Sequence, residues 1–227
     1  MTRNKFLLLL SMIACFGMIV SAGFAATKPV AAKWGFVRKV TIDNQNAQLT
    51  DAVIKVQLDN GFDYAKAAIG GADIRFAAKA DSFSGAGLSY WIEQWNDNGA
   101  STLWVKVPKL TKGQNSIYLY YGNVDAKAAA DGNATFLFFD DFESGDFTKK
   151  WNNVSIGQVE EKEGILKLKE SDGQVGMITT GFDLTGKLIV RTLYHRQGGD
   201  QHWTAAGIGG WNNWFCFDDH TEVAGMG

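Results

Sequence analysis

From Trp34 onward, apolar and polar positions alternate along most of the chain. Ile54, Val56 and Leu58 alternate with Lys55 and Gln57. Leu103, Val105 and Val107 alternate with Trp104 and Lys106, and Ile117, Leu119 and Tyr121 with Tyr118 and Tyr120. Val40 and Ile42 continue a parity set by Trp34 and Phe36 and interrupted by Arg38. Successive side chains of a strand point to opposite faces, so period two predicts strands with one buried face. Turn-forming runs separate them: Asp59-Asn60-Gly61, Gly70-Gly71, Asp97-Asn98-Gly99 and Lys112-Gly113. No run of helical period competes. The pattern predicts an all-β fold of two β-sandwich, jelly-roll-like domains in series.

The first predicted domain spans 34–123. Residues 124–135 are small and polar, apart from Val124, and read as a linker. A second strand-rich domain spans 136–227. It opens on the apolar run Phe136 to Phe142, and Glu163-Gly164 turns into a strand from Ile165 to Lys169. Further strands are expected at Leu188–Tyr194, Ala205–Gly210 and Trp214–Phe217, the last two joined by Trp211-Asn212-Asn213. The chain stops at Gly227 without a closing strand, so this domain reads as incomplete.

The first 25 residues have the order of a secretory signal peptide: Arg3 and Lys5, an apolar run from Phe6 to Val20, then small residues with a cut after Ala25. A lipoprotein cut before Cys15 and a retained anchor are the alternatives. Cleavage after Ala25 lowers Lys+Arg from 22 to 20 against 24 acids, a net charge of −4. Cys216 is then the only cysteine, so an exported chain would rest on buried area, not on an internal disulfide. The expected location is periplasmic or extracellular. The charge balance excludes a strongly basic nucleic-acid binder, and membrane contact is expected only through segments downstream of Gly227.

Five blocks in the first half resemble a bacterial family described as a domain of unknown function, number 2341. They are Trp34 with Arg38–Asn44, Ala72–Phe76, Leu88–Glu93, Leu103–Pro108 and Ile117–Asn123, with Ser89 where the family usually has proline. The second half is similar to the start of a concanavalin-like, laminin-G-type jelly roll, on Phe138–Glu143, Trp151 and Glu163–Leu168. The resemblance implies a place in larger exported proteins, some of which continue into MotA/TolQ/ExbB-type proton-channel helices.

Catalytic motifs are missing from the sequence. No Glu-x-Asp-x-x-Glu pair, Gly-x-Ser-x-Gly elbow or phosphate-binding loop occurs, and no catalytic residue is assigned. Glu160, Glu161 and Glu163 read as a solvated face. His195, His202 and His220 lack zinc spacing. Asp140 and Asp141 are candidate calcium ligands; the alternative is a strand end whose carboxylates accept loop amide hydrogens. No other cofactor is expected.

The tryptophans, eight in all, form the remaining candidate chemistry. By parity, Trp91, Glu93 and Trp95 share a face opposite Leu88, Tyr90 and Ile92, with Trp104 on the corresponding face of its own strand. Either this is an outward stripe, where rings stack on sugar C–H faces beside an accepting carboxylate, or the rings are covered as part of a core. A second cluster lies in Gly-rich, loop-like sequence: Trp203, Trp211 and Trp214 as stacking platforms, with His202, Asn212 and Asn213 as hydrogen-bonding groups. The expected function is a non-catalytic exported module that recognises glycans or cell-envelope components. The alternatives are the periplasmic head of an ExbB/TolQ/MotA-like transport protein and a truncated glycoside hydrolase.

Overall fold

The computed structural model describes residues 8–12, 34–80, 83, 87–97, 99–153, 158–169, 177–178, 188–192, 205–210 and 213–218. In chain order its strands are β1 (Leu8–Met12), β2 (Phe36–Asn44), β3 (Leu49–Leu58), β4 (Arg75–Ala77), β5 (Tyr90–Gln94), β6 (Ser101–Leu110) and β7 (Gly113–Tyr121). They continue as β8 (Phe138–Asp140), β9 (Asn152–Asn153), β10 (Gln158–Lys162), β11 (Ile165–Lys169), β12 (Met177–Ile178), β13 (Leu188–Thr192), β14 (Ala205–Gly210) and β15 (Asn213–Asp218). A one-turn helix, α1 (Gly132–Thr135), is the longest helical segment described. The protein is all-β, as the alternation predicts.

Two compact units divide the chain, with the boundary after Leu137. In the unit containing β2 to β7, two three-stranded antiparallel sheets pair in the orders β2-β7-β4 and β3-β6-β5. Apart from Ile74 and Phe76, for which no face was predicted, their inward positions are the predicted ones. Val40, Ile42, Ile74, Phe76, Ile117, Leu119 and Tyr121 come from one sheet; Ile54, Val56, Leu58, Tyr90, Leu103, Val105 and Val107 from the other. These aliphatic and aromatic side chains form one core between the sheets. Full burial of each is worth roughly 1.5–3 kcal/mol over exposure, which makes this face the main source of stability.

Three polar side chains lock the ends of this sandwich. Asn44 is fully buried; its Nδ2 donates to the carbonyls of Ala47, Leu110 and Thr111, and its Oδ1 accepts from the Asn46 amide. Asp73, 1% exposed, accepts from the amides of Ala68 (2.8 Å), Gly122 (2.6 Å) and Asn123 (3.0 Å). Arg75 donates to the Ala72 and Ile74 carbonyls and to the Tyr90 hydroxyl, and covers the Trp34 ring at 5.5 Å. Each of these three side chains thus has hydrogen-bond partners, as low-dielectric surroundings require.

Residues 124–135 are not a free linker. Asp131 donates its amide to the Tyr90 carbonyl, Arg75 reaches the Lys127 carbonyl, and Ala126 and Ala130 pack against hydrophobic clusters. Asp131 caps α1 by accepting from the Ala134 amide. Phe136 then lies 4% exposed, with its ring 6.1 Å from Trp104. Small polar composition, which suggested a spacer, instead lets the chain lie close along the outside of a sheet.

In the other unit, β10 and β11 form a hairpin with Lys162 opposite Ile165, closed by Glu163 and Gly164 at φ 54° and 70°. Both residues at positive φ fit a type I′ turn. β14 pairs with β15 from Ala205↔Asp218 to Gly210↔Asn213, so the two expected strands form a hairpin and Asn213 is its first paired residue. β1, inside the expected leader, pairs antiparallel with β8 through Leu8↔Asp140. Among the described residues no helix is long and apolar enough to cross a membrane.

Candidate functional site

At one end of the first sandwich, two loops meet above Leu58↔Ser101, the last pair of the β3–β6 ladder. The loop after β3 turns at Asp59, whose Oδ1 accepts from the Gly61 amide at 2.8 Å. This Asx turn sends Phe62 into the core, 3% exposed, and places Asp63 and Tyr64 at the surface edge. The second loop follows β5 and carries Trp95 to Gly99. An open cleft of about 440 Å³ lies between them, lined by Asn60, Gly61, Phe62, Asp63, Tyr64 and Gly99. Its volume is in the range of small-molecule sites.

The cleft wall is an aromatic cluster. Phe62 and Tyr64 meet edge to face at 4.8 Å, Tyr64 and Trp95 at 5.4 Å, and Phe62 lies 4.7 Å from Tyr121. Beneath it, Arg38 covers Phe62 at 5.4 Å, while its Nε donates to the Tyr121 hydroxyl and its Nη1 to the Gly61 carbonyl. Arg38 breaks the apolar alternation of β2 for this reason. It sits at an inward position at the rim, where a guanidinium can stack on rings and pin the loop.

Trp95 reaches this wall through a β-bulge. The β5–β6 register shifts between Ile92 and Gln94, leaving Glu93 as the extra residue. Past the bulge the parity inverts, so Trp95 packs against the core cluster with Ile92 and does not continue the face of Trp91. The predicted stripe of Trp91, Glu93 and Trp95 is therefore broken at Trp95. Gly71, at φ 70°, lies directly under the Trp95 ring: a Cβ there would fall 2.7 Å from it. The indole Nε1 of Trp95 donates to Asp97 Oδ1 at 2.6 Å.

Trp91 and Glu93 do share the outer face of their sheet, with Trp91 directly opposite Trp104. The face is not open there. Trp104 is 9% exposed beside Phe136, and its indole Nε1 donates to Glu93 Oε2 at 2.7 Å. Glu93 thus serves a buried indole, and the covered-ring alternative holds for Trp104.

Burial raises the pKa of the Tyr64 hydroxyl above its ordinary 10.0, and the charges of Asp59 and Asp97 push it further; hydrogen bonds with Ser101 oppose this. Asp59 is bonded to the Gly61 amide and Asp97 to the Trp95 indole, so both flank the aromatic cluster without lining the cleft. Asp63 is exposed and makes no side-chain cap to the turn that follows it.

The remaining candidates fall elsewhere. Asp140 is 3% exposed; its Oδ1 accepts from the Phe142 amide and its Oδ2 from the Trp151 indole at 2.6 Å, and Lys150 lies 3.7 Å away. Asp141 accepts from the Glu143 amide. These are the loop-amide roles set against calcium binding, and among the described residues no group of three His, Cys, Asp or Glu side chains is placed to hold a metal ion. Glu161 is 9% exposed, not a solvated face: its Oε1 accepts from Ser144 Oγ and the Gly145 amide. His202, Trp203, Trp211 and Asn212 lie outside the described residues, as do His195 and His220. Trp214 is placed only as a β15 backbone position opposite Gly209.

The sequence reading missed Asn60, Phe62, Asp63 and Tyr64. The available signal was an aromatic, acid, aromatic triplet directly after an Asp-Asn-Gly turn, where side chains emerge at the end of a sandwich.

The uncharacterized protein MJ1472 of Methanocaldococcus jannaschii is 34% identical over 74 residues. Those residues are 30% of this chain and 13% of that protein, so the chain spans a small fraction of its relative. No solved structure matches the chain. The block at Trp34–Asn44 precedes the family match, which also continues past Asn123 through α1, β8 and β9. The residues that carry the resemblance, from Ala72 to Asn123, fall within it: residues 70–154 match the family described as Domain of unknown function (DUF2341).

Proposed function

We propose that the protein is an exported, non-catalytic binding module that recognises a glycan at the cleft beside Tyr64. One observation carries this reading: an open cleft lined by the rings of Phe62 and Tyr64 and by Asn60, Gly61, Asp63 and Gly99, with Trp95 packed behind Tyr64. A sugar presents C–H faces that stack on rings and hydroxyls that need acceptors and donors. A carboxylate, an amide and loop backbone supply the polar half of that surface; the rings supply the apolar half. Export is supported by the leader composition of residues 1–25. The second unit is proposed to be concanavalin-like, on its antiparallel hairpins and the Phe138–Glu143 block.

The test is tryptophan fluorescence of the full chain titrated with a polysaccharide panel. Trp95 sits against Tyr64, so a bound sugar is expected to shift its emission. Tyr64→Ala is expected to abolish the shift, with thermal melting used to confirm that the variant is folded. A panel that leaves the emission unchanged at millimolar sugar would sink the reading.

A further inference from the structure

We propose that the gap between β8 and β13 is a docking site for the chain's own leader, residues 8–12, and that folding of this unit withdraws the leader from the export machinery. The inference rests on the export reading above and is independent of what the cleft binds.

β1 lies wholly within the apolar run from Phe6 to Val20. It is the central strand of the order β13-β1-β8 and runs antiparallel to β8 in the register Leu8↔Asp140, Leu9↔Phe139 and Leu10↔Phe138. Leu8-Leu9-Leu10-Ser11-Met12 carries no charge and is interrupted only at Ser11, the pattern of a strand covered on both faces. β8 is held by contacts that do not involve the leader. Asp140 accepts from the Phe142 amide and the Trp151 indole, Lys150 donates to the Phe139 carbonyl at 2.7 Å, and the Phe138 ring meets Trp151 edge-on at 5.2 Å. With β8 fixed in this way, removal of β1 opens one strand-width beside it, and the backbone groups that pair with Leu8–Leu10 lose their partners. An extended apolar segment laid along that edge restores them by main-chain hydrogen bonds.

The same residues serve export only as free chain. A leader paired on both sides has spent its backbone donors and acceptors, and enters a translocase or a peptidase site only after it undocks. Cleavage of a folded precursor then tracks the fraction of molecules in which β1 is undocked. For a central strand that fraction is about a tenth or less. Chain that has not yet folded is thus free to be exported, and chain that folds too early is held back.

The experiment follows removal of residues 1–25 from the full chain by a signal peptidase, read by mass spectrometry. One sample is precursor refolded beforehand; the other is precursor diluted directly from urea. The refolded sample is expected to be cut about tenfold more slowly. Leu9→Pro, which takes an amide out of a central strand, is expected to bring the two rates within about twofold. Both samples of the variant carry the same leader, so their ratio is unaffected by how well the peptidase accepts proline. Hydrogen exchange gives a second reading: the amides of Leu8, Leu9 and Leu10 are expected to exchange at least about tenfold more slowly in the refolded precursor than in the unfolded chain. Equal cleavage rates for the two samples, unprotected amides at Leu8–Leu10, or a gap that persists in Leu9→Pro overturns the docking site and leaves the export reading in place. A precursor that is cut in neither sample overturns both.

Discussion

Asp73 is the residue on which the cleft end of the first sandwich depends most. Its carboxylate accepts from three backbone amides on two separate segments, Ala68 on one side and Gly122 and Asn123 on the other. Hydrogen bonds to a charged group contribute roughly 1.5–3 kcal/mol each, so an upper limit for the set is about 4–9 kcal/mol. The Ala68 and Gly122 bonds are only part-buried, so water can replace the carboxylate there, whereas the bond to Asn123 is buried. Asp73→Ala is therefore expected to cost about 3–5 kcal/mol, a third or more of a typical domain's stability. Asp73→Asn keeps one acceptor oxygen but turns an NH2 toward amide donors, and about 2–3 kcal/mol is expected. Urea unfolding measures both. With a slope of about 1–3 kcal/mol per molar, the alanine variant should lose at least about 1 M in midpoint at an unchanged slope. An Asp73→Ala midpoint within about 0.3 M of the parent would refute the accounting. It would mean that the three amides find equal partners without the carboxylate.

Three further outcomes are expected. Gly70 and Gly71 both sit at positive φ, but only Gly71 has a neighbour where a Cβ would go. Gly70→Ala should cost about 1–2 kcal/mol from backbone strain alone, and Gly71→Ala about 1–3 kcal/mol more, with a shift in Trp95 emission; equal melting temperatures for the two would contradict the contact. Glu93→Ala should cost about 1–3 kcal/mol by stranding the Trp104 indole, and Glu93→Gln less than about 1 kcal/mol, both read from thermal melts. Burial raises the Tyr90 hydroxyl above 10.0, so its contribution to stability is complete below pH 10 and lost as pH rises toward the folded value. Melting temperature should fall through that window, and Tyr90→Phe should flatten the slope; a parent whose melting is insensitive above pH 10 would remove the argument.

The strands were legible because each sheet of the first sandwich has one buried face, and burial of alternate residues leaves a period in the sequence. Val40, Ile54, Leu103 and Ile117 all face the core that their parity predicts. Trp95 was misplaced because parity extrapolates only while a ladder is regular, and the extra residue at Glu93 is visible only against its partner strand. Residues 124–135 were misread for a different reason. Their composition describes solubility, while their position depends on bonds to Tyr90 and Arg75 far away in sequence. The cleft was missed because its residues are brought together by two loops about 35 residues apart, and local pattern carries no information on such pairs. Asp140 differs again: both of its weighed roles were chemically sound, and only the position of the Trp151 indole chose between them.

The bulge in β5 has a consequence for how this strand tolerates change. Substitution at Glu93 alters one contact, but deletion of one residue there would restore unbroken alternation. The pairs Ile92↔Leu103 and Gln94↔Thr102 would remain, so Trp95 would keep its core-side place against Gly71 and Tyr64. Only the Glu93 acceptor of the Trp104 indole would be lost. A one-residue deletion, which elsewhere in a ladder would turn every later side chain to the opposite face, should therefore cost no more here than Glu93→Ala.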